Sequence, residues 1–221
     1  MKNAQLLTII ASLPNIKRHE GYRSKPYKCS EGVLTVGYGT NLDIGLDEDE
    51  AAFLLEYRLK KVSAELSKHL PWWEGMPLGL RLVLLDMGYQ LGVSRLLRFR
   101  KALGALKAKR YIEGAAEMLD SNWAKQTPER ANENARKVHR FGELIEELPW
   151  VAGLMPGPQH ALLEMYAELG LAGLLSFKQM LSALHAGETT KAAEEMTNSA
   201  WARRPDSHAK SLWPYMAGLE V

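Results

Sequence analysis

Glu20, Cys29 and Thr35 are the side chains near the start of this 221-residue chain whose types could do chemistry together. A glutamic acid can hand a proton to a leaving group. An ordinary carboxyl, with a pKa of about 4.3, is mostly ionised at neutral pH, so a working acid needs a desolvated site or strong help in the transition state. A thiol with a pKa of about 8.5 is mainly neutral at pH 7 and accepts hydrogen bonds weakly, but becomes a strong nucleophile where its surroundings favour the thiolate. A threonine hydroxyl can hydrogen-bond a water. Eight residues separate Glu20 from Cys29 and five separate Cys29 from Thr35, with Arg23 and Lys28 close by in sequence. Three outcomes follow for Cys29: a partly ionised sulfur assists water or attacks directly, Glu20 works with Thr35 and water alone, or the site is inactive. Glu31 reads as a turn residue rather than a catalyst.

The elements that must hold these groups can be read around them. Ser12 is expected to cap a helix with Pro14 in its first turn, running towards Glu20. Tyr27 to Cys29, Ser30 to Gly32 and Val33 to Tyr38 read as strand, glycine-bearing turn and second strand, and Gly37 and Gly39 let the backbone pass close to something. Asp47 with Glu50 three residues later is an acidic variant of the capping box. It opens a helix through Ala51, Leu54, Leu55, Leu59 and Val62 that links this part to the rest.

Composition bounds what such a protein can be. The chain is 46% hydrophobic and 24% charged, ordinary globular values that exclude disorder. Its 28 basic and 26 acidic side chains are too evenly balanced for a protein that coats nucleic acid. A single cysteine excludes an internal disulfide, and no zinc-type spacing of Cys and His occurs. His139, His160, His185 and His208 show no ligand spacing and read as surface or capping residues. The apolar stretch from Leu6 to Ala11 is shorter than the roughly 18 residues of a membrane span, so synthesis in the cytoplasm without an export signal is expected.

From Leu70 onward the chain repeats itself. A shift of 78 positions places Leu70-Pro71-Trp72 on Leu148-Pro149-Trp150, Leu84-Leu85 and Met87 on Leu162-Leu163 and Met165, and Leu91-Gly92 on Leu169-Gly170. It also places Leu96-Leu97 on Leu174-Leu175, Phe99 on Phe177, Met118 on Met196 and Trp123-Ala124 on Trp201-Ala202. Of the 57 pairs from Leu70 to Gln126, 23 are identical, and the apolar spacings of three to five residues are helical. The matched apolar positions read as shared core.

Taken with the spacing around Glu20, the segments His19-Glu20-Gly21-Tyr22-Arg23, Glu31-Gly32 and Thr35-Val36-Gly37-Tyr38-Gly39 resemble the active-site region of phage lysozymes of the T-even type. So do Met87-Gly88-Tyr89-Gln90-Leu91-Gly92 and Trp123-Ala124-Lys125-Gln126-Thr127-Pro128-Glu129-Arg130-Ala131, and the likeness extends from about Ser12 to Arg140. Where that family carries Asp, this chain has Cys29. The resemblance implies a mostly α, α+β, lysozyme-like fold, with a small β-hairpin lobe and a large helical lobe followed by a second helical lobe repeated from the first. It implies Glu20, Cys29 and Thr35 as catalytic residues, with Arg130 beside Glu20 to orient it, and Tyr38, Gln90, Gln126 and Arg130 as substrate-binding residues. No cofactor and no metal are implied.

The activity implied is cleavage of the bond between N-acetylmuramic acid and N-acetylglucosamine in peptidoglycan, in lysis of a host bacterium. The implied state is a monomer without stable membrane insertion or nucleic acid, reaching the wall through a holin-type pore. The runners-up are lytic transglycosylase chemistry, which needs one carboxylate, and a non-catalytic wall-binding protein on the same scaffold. On this reading residues 1–147 form the catalytic domain and 148–221 a degenerate, non-catalytic duplicate. The second copy lacks the glutamate and hairpin, and it has Arg203-Arg204-Pro205-Asp206-Ser207 where the first has Gln126-Thr127-Pro128-Glu129-Arg130.

Overall fold

The computed structural model describes residues 2–219, with side chains described from residue 9 on. The backbone divides into two compact units, one ending at Tyr57 and the other beginning at Arg58. Together they make a mostly α, α+β fold.

In the N-terminal unit, helix α1 runs Lys2–Glu20. It therefore begins well before Ser12, which is no cap. The Ser12 hydroxyl instead donates to the Ile9 carbonyl at 2.8 Å, and Pro14 sits inside the helix. Proline removes one helical donor, and Ser12 shows the back-bonding to a preceding carbonyl that Ser and Thr adopt in mid-helix. Lys17, Arg18 and His19 occupy the last turn, where the helix dipole favours positive charge. Gly21, with φ 66°, ends the helix by donating to the Lys17 carbonyl at 3.1 Å, which makes Glu20 the last helical residue.

An antiparallel sheet of order β1-β2-β3 follows, with β1 Arg23–Lys28, β2 Leu34–Gly37 and β3 Thr40–Asn41. The first strand starts four residues earlier than its β-branched and aromatic content suggests and stops before Cys29. Pro26 is tolerated because β1 is an edge strand with a register shift between Arg23 and Tyr27. Tyr27 pairs with Thr35, and Thr35 with Asn41. The third strand was not foreseen, since two residues carry no periodicity. Helix α2, Glu48–His69, opens on the expected capping box in reciprocal form: Glu50 N–H donates to Asp47 Oδ1 at 2.8 Å and Asp47 N–H to Glu50 Oε2 at 3.2 Å.

The second unit is helical. A 3-10 turn at Pro71–Gly75 leads to α3 Leu78–Leu91, α4 Val93–Leu96, α5 Arg100–Lys107, α6 Tyr111–Leu119, α7 Asn122–Gln126 and α8 Pro128–Glu147. The order then recurs: a 3-10 turn at Pro149–Gly153, α9 Pro156–Leu175 broken at Gly170, α10 Lys178–His185, α11 Thr189–Thr197 and α12 Ala209–Met216. Gly92 and Gly170, 78 positions apart, both have positive φ, 78° and 72°, and interrupt their helices at the same place. The matched apolar residues are core, as expected: Leu84 and Leu162, Met87 and Met165, Leu96 and Leu174, and Met118 and Met196 are all buried. Helix α9 packs on α3 and α8, so the two copies share one unit.

One expectation fails here. His139, His185 and His208 are exposed, but the His160 side chain is only 13% exposed, edge-on to Tyr215 at 4.9 Å. Burial lowers its pKa, which favours the neutral ring. The second copy's helix buries it against the first copy, a contact that no spacing of histidines signals.

Candidate active site

Four of the sequence-predicted residues, Glu20, Cys29, Thr35 and Tyr38, lie in the small unit with the sheet. Glu20, fixed as the last residue of α1 by the Gly21 cap, lies against Gly39. A Cβ built on Gly39 would come within 2.7 Å of Glu20 Oε2, so the missing side chain lets the carboxyl lie against the backbone here, and the φ of 86° is what calls for glycine. That is the close passage expected of Gly39. Gly37 needs its glycine for φ 69°, since nothing lies within 4 Å of its Cβ position.

Cys29 follows β1 and opens the turn. Its N–H donates to the Val33 carbonyl at 3.0 Å, its carbonyl accepts from Gly32 N–H at 3.0 Å, and its side chain is partly exposed. Glu31 lies in that turn, as expected. Hydrogen bonding from the backbone at Glu31 and then Val33 holds the thiol below its ordinary pKa, with a smaller contribution from the Thr35 hydroxyl; desolvation opposes them and loses. Thr35 is buried, and its hydroxyl also donates to the Val33 carbonyl at 3.1 Å. Tyr38 is exposed, 5.3 Å from the Tyr22 ring with Lys17 Nζ 5.5 Å from its own ring centre. The unit thus gathers an exposed acid, a thiol disposed to ionise and a buried hydroxyl bonded to the backbone of the same turn.

The remaining candidates belong to the helical unit. Gln90, in the last turn of α3, accepts from Trp123 Nε1–H at 2.8 Å through Oε1, which leaves its amide N–H₂ to other partners. Gln126 ends α7 and is exposed. Arg130, in the first turn of α8, makes a two-pronged pair with Asp86, one prong being Nε–H to Oδ2 at 2.9 Å. Buried Asn134 donates to the same Oδ2 at 2.7 Å.

Burial pushes the Asp86 carboxyl up, but the Arg130 and Asn134 hydrogen bonds outweigh it and hold the pKa below the carboxylate range. Asp86 is therefore the electrostatic partner that Arg130 has within its own unit. Asp86 and Asn134 were missed by sequence reasoning. The available signal was a lone acid in the apolar run Leu82 to Met87, a position that demands a buried partner.

The fold and these residues define a class, a small unit with a sheet in which a helix end carries an acid and a turn carries a thiol, with a larger helical unit carrying polar and basic residues. The phage lysozyme family model matches residues 17–140, more than half of the chain, so the protein belongs to the phage lysozyme family. Two curated relatives from Dictyostelium discoideum are similar. Probable T4-type lysozyme 2 is 25% identical over 56% of this chain and 91% of its own length, and probable T4-type lysozyme 1 is 26% identical over 53% and 86%. Membership makes the chain a glycoside hydrolase of the lysozyme type with peptidoglycan as its substrate class. The second copy lies outside the matched segment. Among the described residues, no helix is long and apolar enough to cross a membrane.

Proposed function

We propose that the chain hydrolyses the β-1,4 bond between N-acetylmuramic acid and N-acetylglucosamine, with Glu20 as general acid, for lysis of a host bacterium. The observation that carries this reading is the placement of the Glu20 carboxylate against Gly39, in the same small unit as Cys29 and Thr35. Glycoside cleavage passes through an oxocarbenium-like transition state, so one group protonates the leaving oxygen while another supports the attacking one. Glu20 gives its proton to the glycosidic oxygen as the bond to the anomeric carbon breaks. A water attacks that carbon, and its proton passes to the Cys29 thiolate, which the turn backbone at Glu31 and Val33 favours.

Tyr38, Gln90, Gln126 and Arg130 are proposed to bind the glycan, the last with its guanidinium fixed by Asp86. Residues 1–147 then constitute the catalytic domain, and 148–221 a non-catalytic duplicate of its helical part. The protein would act as a monomer, made in the host cytoplasm and released to the wall through a holin-type pore.

Glu20→Gln keeps the shape and removes the proton. It is expected to lower turnover of purified peptidoglycan by about 10²–10⁴-fold, as loss of a general acid does. Unchanged turnover in a zymogram beside wild type would remove Glu20 from the chemistry. The mass of the released fragments reports the reaction itself: a gain of one water at a reducing muramic acid is hydrolysis, whereas an anhydro product means transglycosylation. Binding to sacculi with no soluble product would make the protein a wall binder.

A further inference from the structure

The helical unit contains the same hollow twice. One, of about 820 Å³, opens beside Phe99 and Trp123; the other, of about 850 Å³, opens beside Phe177 and Trp201. Every one of the 13 residues lining the first has its counterpart 78 positions later among those lining the second. The aromatic pair is kept in detail. Phe99 and Trp123 meet edge to face at 6.0 Å and 78°, Phe177 and Trp201 at 6.1 Å and 85°. Each indole N–H donates to the side chain at the matching place on the preceding long helix, Gln90 at 2.8 Å and Glu168 at 2.7 Å.

The shape is common to both, but the chemistry of the rim is not. Arg95, Arg98, Lys101 and Asp120 of the first hollow become Gly173, Ser176, Gln179 and Asn198 in the second. The first rim carries four basic residues against Glu117 and Asp120; the second balances Lys178 and Arg204 against Glu168 and Glu195. At three of these four places a charge has been exchanged for a hydroxyl or amide group, and although Gln126 becomes Arg204, the second rim is balanced where the first is basic. Such a rim suits an uncharged ligand rich in hydroxyl and acetamido groups, and the half-buried Phe177 ring offers an apolar face to the C–H groups of a sugar. Glu168 is not available to act on that ligand, because one carboxylate oxygen accepts from Trp201 and the other lies 3.3 Å from His208 Nδ1.

We propose that the hollow at Phe177 and Trp201 is a second carbohydrate-binding site, which holds an uncharged, N-acetylglucosamine-containing stretch of glycan without cutting it. This rests on the reading of the protein as a peptidoglycan hydrolase. The test is a titration of the full-length Glu20→Gln chain with the β-1,4 trimer of N-acetylglucosamine, followed through backbone amide resonances. Saturable shifts at residues 176–180 and 198–201 are expected. The exposed pair Gln179→Ala and Asn198→Ala should raise Kd at those residues about tenfold, the worth of one or two lost hydrogen bonds.

Shifts confined to residues 95–102 and 120–123, no saturable shift, or a double variant that titrates like its parent would each overturn the site. Neither substitution lies in the core, and an unchanged melting temperature verifies the fold. Fragment release by the wild-type chain is measured alongside. Release with no binding at 176–201 overturns only this site, whereas binding there without any release overturns only the hydrolytic reading.

Discussion

At the scale of single residues the open chemical question is the sulfur. A thiol needs help to ionise, and Cys29 receives it from the turn backbone at Glu31 and Val33, with Thr35 behind them. A lowered pKa puts the thiolate in place at a lower pH than in a free thiol. Alkylation of this single cysteine by iodoacetamide should therefore rise with pH about a midpoint below that of a free thiol, and turnover should show an ascending limb at the same midpoint. Cys29→Ser and Cys29→Ala should fall together, by about 10²-fold if the sulfur serves as the base, while Cys29→Asp retains turnover. Equal rates in all four proteins, or a midpoint at the free-thiol value, would remove the sulfur from the reaction. The resemblance puts forward Glu20, Cys29 and Thr35, but not the bonds around Cys29, which depend on how a three-residue turn closes. Nor did it supply Asp86 as the partner of Arg130, or Asn134 as a second donor to Asp86, contacts that join positions 44 and 48 residues apart.

At the scale of elements, local signals were read well wherever one short motif decides the backbone. Asp47 and Glu50 form their capping box, and the glycines after Glu20 and at 92 and 170 end or break helices where they stand. Boundaries set by no motif were misread: α1 starts before Ser12 because Pro14 is accommodated in mid-helix, and β3 is too short to have a pattern. The repeat exposes one local conflict. Helices α5 and α10 end in the same motif, with Arg110 N–H donating to Ala105 and Glu188 N–H to Ala183, each at 2.9 Å. The left-handed residue is Gly187 in one copy, φ 80°, and Lys109 in the other, φ 60°. A non-glycine residue there costs about 1–2 kcal/mol, and the extra freedom of glycine in the unfolded chain returns about 0.4–1 kcal/mol. Lys109→Gly should therefore stabilise the protein by about 0.5–1 kcal/mol and raise the melting temperature by about 1–4 °C. A fall in melting temperature would show that the strain is relieved in a way the backbone angle does not reveal.

At the scale of the whole molecule, the repeat was legible as sequence, but its consequence for stability was not. Two copies of a helical unit could stand apart, each with a closed core. Instead α9 packs on α3 and α8, Tyr166 Oη–H donates to Glu143 Oε2 at 2.6 Å, and Leu163 is buried where the missing side chain of Gly79 leaves room, its Cδ2 2.7 Å from where that Cβ would be. A residue of the second copy therefore completes the core of the first. Leu163→Ala should cost about 2–5 kcal/mol, the usual range for a buried leucine that leaves a cavity. Because the helices on both sides belong to one unit, hydrogen exchange should accelerate in α3 and α8 by the same free energy as in α9 and α12. Acceleration confined to residues 148–221, with α3 and α8 as protected as before, would mean that the second copy opens by itself. In that case the first copy would have to be stable without it.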